Sequence, residues 1–106
     1  MLRRTVFVAC VNNLYGRGIA SGIGPTRVDL TWTGIANVDH YAVMRGTTSG
    51  GPYVQVGSAP GTSRAFKDIN GLANGSTYYY VLQPINSAGG EICQSNEAKV
   101  VIPKPH

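Results

Sequence analysis

Short runs of alternating apolar and polar residues, broken at regular intervals by glycine, proline and asparagine, occupy most of this chain. Val28, Leu30 and Trp32 alternate with Asp29, Thr31 and Thr33, which turns one face of a strand inward. Residues 34–37 break that run. Tyr41, Val43 and Arg45 then alternate with Ala42, Met44 and Gly46, and Thr47-Thr48-Ser49-Gly50-Gly51-Pro52 marks a turn. Residues 53–57 predict a third strand closed by Ala59-Pro60-Gly61, and residues 63–67 a short fourth with Phe66 inward. A loop rich in Gly and Asn covers 68–76. The longest strand is predicted over 77–85, with Tyr78, Tyr80 and Leu82 on one face and Tyr79 and Val81 on the other. Asn86-Ser87-Ala88-Gly89-Gly90 turns the chain, and 92–102 run back as the last strand. Upstream, residues 14–20 predict a strand weakened by Gly16 and Gly18. No stretch carries apolar residues at i, i+3, i+4 and i+7 for the length of a helix. Strands at short, even spacing without helices imply a sandwich or a barrel.

Composition narrows the class. The 106 residues suffice for one domain. Apolar types make up 42%, enough for a core, while charged types are 13%, about half the usual share of roughly 25%. No run approaches the ~20 apolar residues of a membrane-spanning helix. The formal charge of +4 prompts a nucleic-acid reading, which the placement of the charges removes. Arg3, Arg4 and Lys104 sit near the ends, leaving six basic residues against five acidic ones, a net of +1. Those six are scattered, and a nucleic-acid partner needs a concentrated basic face. None is expected.

The amino end carries two readings. Met1-Leu2-Arg3-Arg4 followed by Thr5, Val6, Phe7, Val8, Ala9, Cys10 and Val11 resembles a basic region and short apolar core of an export signal. Six contiguous apolar residues of high β-propensity equally suit an extra strand covered on both faces. The expected organisation is therefore an apolar arm over 1–12, a domain over 13–103 and a tail over 104–106.

Three features choose between sandwich and barrel. The lone Trp32 sits on an early strand, and Leu72 stands six residues before Tyr78, which opens the longest strand. The final strand follows a Gly-rich turn with Ser95-Asn96-Glu97. With Tyr41, Tyr53, Tyr80 and Asn86, this set resembles a fibronectin type III domain, of the bacterial kind appended to secreted enzymes and surface proteins. The resemblance runs from about residue 13 to 103. It implies an all-β, immunoglobulin-like sandwich: seven strands in two antiparallel sheets of three and four, with the amino arm as an added strand. A tyrosine entering a strand after a loop buries its ring while its hydroxyl bonds backbone just upstream. Trp32, Tyr41, Phe66, Leu72, Tyr78 and Tyr80 are accordingly expected in the core. The turn 86–91 lacks Arg-Gly-Asp, the integrin-binding sequence of cell-adhesion members.

Convergent chemistry is not in view. His40 and His106 have no Cys or His partner at metal-ligand spacing. The carboxylates Asp29, Asp39, Asp68, Glu91 and Glu97 are dispersed, and alternation turns Asp29 and Glu97 outward, so no glycosidase pair forms. Gly61-Thr62-Ser63-Arg64-Ala65 approaches a nucleophile elbow but is followed by a strand, and Gly16-Arg17-Gly18 lacks the third glycine and helix of a phosphate loop. No catalytic residue, metal or cofactor is expected. In the topology that the resemblance implies, the 86–91 turn shares a pole with the start of the first strand, which brings Cys10 and Cys93 within reach. A bridge needs Cα atoms ~4.4–6.8 Å apart. An intrachain disulfide, a free buried Cys93 and a bridge between two chains are the open readings.

The resemblance implies a non-catalytic structural, spacer or interaction module of a secreted or cell-surface protein, with other domains or chains as partners. Two further readings stand beside it. Thr5, Val6, Phe7, Val8, Ala9 and Val11 could add a strand to a second copy of the chain and build a filament. Tyr15, Tyr53 and Tyr79, expected to face outward, could bind polysaccharide. Asn74-Gly75-Ser76 has the form of a glycosylation sequon.

Overall fold

A computed structural model describes residues 10–20 and 26–104. Seven strands lie within them: β1 (Tyr15–Ile19), β2 (Arg27–Thr31), β3 (His40–Gly46), β4 (Val54–Pro60), β5 (Ala65–Asp68), β6 (Thr77–Ile85) and β7 (Ala98–Val101). They form two antiparallel sheets, one ordered β1-β2-β5 and the other β4-β3-β6-β7. The alternation in the sequence dictates the faces: Val28 and Leu30 of β2 meet Tyr41, Val43, Tyr80, Leu82 and Val100 across a buried interface. Each such aliphatic side chain stabilises the sandwich by ~1.5–3 kcal/mol. Among the described residues the structure is thus a two-sheet β-sandwich without helix.

The aromatic residues fill the ends and middle of this interface. Trp32 lies just past β2, where its main-chain N–H donates to the Arg64 carbonyl at 3.0 Å, and its ring meets Tyr41 edge-on at 5.4 Å. Tyr41 is fully buried and its hydroxyl accepts the Ile35 N–H at 3.3 Å. The Tyr78 hydroxyl accepts the Ala73 N–H at 2.9 Å, the corner that a tyrosine entering β6 can make with the loop behind it. Phe66 and Leu72 are half-buried and pack on the edge of the core. Phe66 covers Gly57 so closely that no side chain fits there.

Two departures from the pattern have physical causes. The glycines in β1 seat that strand on the opposite sheet. A Cβ on Gly18 would stand 2.6 Å from the Val101 carbonyl oxygen, and one on Gly16 would collide with the Val100 side chain of β7. Glycine at both positions lets the backbone approach β7, which a side chain would forbid. The last strand is also shorter than 92–102. Ile85 faces Glu91 while Tyr80 faces Ala98, so the returning chain spends six residues against four in β6. Pro84 has no N–H to donate, and the Leu82 N–H donates to Ser95 Oγ at 2.7 Å, where a ladder would use a carbonyl. Ser95 is buried and passes its own proton to the Asn96 carbonyl at 2.8 Å. Ladder pairing resumes only at Ala98.

Candidate functional site

The first feature built by the fold is a clamp on the incoming chain. Cys10 and Cys93 form an intrachain disulfide with Cα atoms 6.0 Å apart. Beside it, the Asn96 carboxamide accepts the Leu14 N–H at 2.8 Å and donates to the Leu14 carbonyl at 3.0 Å, and the Asn96 N–H donates to the Val11 carbonyl at 3.2 Å. Asn13 bonds Thr33 through both its side-chain oxygen and nitrogen. The irregular stretch ahead of β7 exists to make this attachment: it presents Cys93 and Asn96 to residues 10–14. One expectation is corrected here. Val11, grouped with the strand that would pair with another copy, is 2% exposed and packs in this chain's own core with Leu14. Its apolar side chain is used by the sandwich it belongs to. Thr5, Val6, Phe7, Val8 and Ala9 lie outside the described residues.

At the opposite end of β3 sits a buried ion pair. Arg45 shares the inward phase of Tyr41 and Val43, and its guanidinium donates to Asp68 Oδ2 at 2.7 Å and to the Asn70 carbonyl at 2.8 Å. The Tyr80 hydroxyl donates to the same carboxylate oxygen at 2.6 Å, and the Asn70 N–H to the other at 3.1 Å. Asp68 is fully buried. Burial works against the charged guanidinium, but Asp68 outweighs it and holds the Arg45 pKa above its ordinary value. Burial, and then the carboxylate that its proton serves, raise the Tyr80 phenol well above its ordinary value. Arg45 also stacks over the Tyr78 ring at 5.2 Å from its centre. Sequence reading missed this network, although Arg45 stood in phase with two core residues.

The third feature is a loop fastened onto the outer face of the four-stranded sheet. Glu97 accepts from Ser49 Oγ at 2.7 Å, from the Gly50 N–H at 2.7 Å and from the Tyr53 hydroxyl. The loop passes over Gly46, where a Cβ would meet the Pro52 carbonyl oxygen at 2.6 Å and the Tyr53 ring at 3.1 Å. The hydrogen bond from Tyr53, with those from Gly50 and Ser49, lowers the Glu97 pKa. The same bond raises the Tyr53 pKa, so the proton stays on the phenol. Alternation turned Glu97 outward but could not show that a loop comes to meet it.

The tyrosines considered for polysaccharide do not share one strand or sheet. Tyr15 is 64% exposed on β1 of the three-stranded sheet. Tyr79 is half-buried on β6, and half-buried Tyr53 is tied to Glu97. Of the titratable groups, His40 pairs with exposed Asp39 at 2.7 Å and Arg27 with Asp29 at 3.1 Å, on different sheets. Among the described residues no three His, Cys, Asp or Glu side chains gather where a metal ion could be held. The Gly61 N–H donates to the Asp39 carbonyl and the Ser63 N–H to the Pro60 carbonyl, both at 2.9 Å, and the chain then enters β5.

A seven-stranded sandwich of three and four strands with a tyrosine corner defines an immunoglobulin-like β domain. No family model matches the chain, and no curated protein matches it. Solved structures do. A fibronectin-type-III-like (Fn3-like) protein from Clostridium thermocellum is 32% identical over 92% of this chain and 96% of its own, with a TM-score of 0.71. The fn3 domain of human collagen alpha-1(XX) chain is 24% identical over 98% of this chain and 93% of its own, also with a TM-score of 0.71. A beta-1,2-glucanase from Parabacteroides distasonis contains the same fold, at 17% identity over 94% of this chain and 14% of its own, with a TM-score of 0.73. The chain belongs to the fibronectin type III family.

Proposed function

We propose that this domain is a non-catalytic spacer and interaction module of an exported, multidomain protein. The observation that carries the reading is the family membership together with an interior occupied by its own side chains, from Trp32 and Tyr41 to Tyr80 and Ile102. Such a domain offers surfaces and a fixed length rather than a cleft. The glucanase, in which the matching region spans 14% of the chain, supports a role beside other domains. The Cys10–Cys93 bridge supports an oxidising compartment, since structural disulfides persist there and are rare in the cytosol. No helix of the described residues is long and apolar enough to cross a membrane.

The test combines three measurements on the purified chain. It is assayed against glycosidase and polysaccharide-lyase substrates, applied to a carbohydrate array, and sedimented over a range of concentrations with electron microscopy of the same samples. The expected result is an inert monomer. Turnover of any substrate overturns the reading. Ordered polymers lost on removing residues 1–9 would replace it with a filament subunit, and glycan binding lost in Tyr79→Ala with a carbohydrate-binding module.

A further inference from the structure

Asparagine followed by glycine occurs twice in this chain, at Asn70-Gly71 and Asn74-Gly75. Glycine leaves the following nitrogen unshielded, so at both places it can reach the asparagine carboxamide if neither of the two reacting groups is held elsewhere. The fold treats the two dipeptides differently. Asn70 and Gly71 are exposed between β5 and β6, Gly71 has φ +65°, and a Cβ there would meet nothing within 4 Å. The Asn70 main chain is anchored, its N–H to Asp68 at 3.1 Å and its carbonyl to Arg45 at 2.8 Å, but the two groups that react are not: among the described residues nothing accepts the Gly71 N–H, and nothing holds the Asn70 carboxamide.

Asn74-Gly75 is fastened. The Gly75 N–H donates to the Ile102 carbonyl at 2.9 Å, with the Pro103 carbonyl at 3.3 Å. Asn74 Oδ1 accepts from Thr26 Oγ1 at 2.5 Å. The Lys104 stem lies over Gly75, 3.0 Å from where a Cβ would stand. The attacking nitrogen and the carbonyl it would attack are each committed elsewhere.

We propose that Asn70 is a site of spontaneous deamidation in the folded protein and that the tertiary structure protects Asn74. The Gly71 nitrogen attacks Asn70 Cγ, a C–N bond forms and closes a succinimide, the Cγ–Nδ2 bond breaks, and ammonia leaves with the proton from Gly71. Water then opens the ring. Attack at the side-chain carbonyl gives aspartate, and attack at the main-chain carbonyl gives isoaspartate. Nothing is oxidised or reduced. In the isoaspartate product the freed carboxylate arises at the main-chain carbonyl that Arg45 contacts at 2.8 Å. Arg45, already paired with Asp68 at 2.7 Å, would then face a second anion.

Folded protein is held in mildly alkaline buffer, digested under acid conditions, and analysed by mass spectrometry with fragmentation that distinguishes isoaspartate from aspartate. A parallel sample is held in concentrated urea. The two hydrogen bonds at the protected site, at ordinary net strength, set its reaction about thirty-fold slower than at Asn70 in the folded sample. In urea the two sites should react at similar rates. Equal rates in the folded protein, or faster reaction at Asn74, overturn the proposal. So does a preference for Asn70 that persists undiminished in urea, because its origin would then be local sequence.

Discussion

Replacing Asp68 with alanine removes the acceptor on which the buried end of β3 converges. The carboxylate is fully buried and takes hydrogen bonds from Arg45, Tyr80 and the Asn70 N–H. Its loss leaves a guanidinium whose side chain is 17% exposed, and a buried phenol, without their partner. Removing one member of a buried ion pair costs roughly 3–5 kcal/mol, and an orphaned hydroxyl roughly 1–3 kcal/mol. These costs overlap. Arg45 keeps the Asn70 carbonyl at 2.8 Å and a path to water, so we expect a total of ~4 kcal/mol. At ~2.1 cal/mol/K per residue, a 106-residue domain unfolds with an entropy of ~0.22 kcal/mol/K, so the melting temperature should fall by ~18 °C. Urea titration followed by the fluorescence of the single tryptophan, Trp32, measures the change directly. The decisive comparison is a cycle with Arg45→Met and the double variant Arg45→Met/Asp68→Ala. Removing both charges should cost clearly less than the two single losses together, with a coupling above ~1.5 kcal/mol. A single-variant cost below ~1 kcal/mol, or effects additive within ~0.5 kcal/mol, would refute the assignment of an energetically coupled buried pair.

The remaining predictions concern the two fastenings made just ahead of β7. The Cys10–Cys93 bridge spans a sequence separation of 83, for which the chain-entropy account gives ~4.5 kcal/mol. Reduction, or the double Cys→Ser variant, should therefore lower the melting temperature by ~20 °C in calorimetry, and a shift under ~5 °C would contradict a closed intrachain loop. Glu97 has a lowered pKa, so its contribution is present above the ordinary carboxylate value of 4.5 and is lost as pH falls through the depressed folded value. The Gly50 amide resonance should titrate with a midpoint below 4.5 and stop responding in Glu97→Gln; a midpoint at or above 4.5 would disconnect Glu97 from the loop.

Much of the architecture was legible because strand signals are local. The alternation over Val28–Trp32, Tyr41–Arg45 and Tyr78–Leu82 is set by the two-residue period of a strand and by burial of one face. It holds whichever neighbour each strand later finds. The aromatic set was legible for the same reason, since large rings placed in phase with aliphatic residues have one stable destination.

What the tertiary structure decided are the relations that no local period encodes. Gly16 and Gly18 look like weaknesses in β1 until β7 is seen pressed against their backbone. Val11 reads as part of a free apolar strand until the bond between Cys10 and Cys93 and the Asn96 side chain draw its segment into the core. Arg45 and Asp68 are 23 positions apart, and neither position points to the other, although Arg45 stands in phase with Tyr41 and Val43. Their pairing depends on two sheets facing each other, because a charge is tolerated indoors only where the partner that compensates its lost hydration stands within reach. Sequence by itself therefore determined which residues turn inward; the stacking of the sheets determined which of them meet.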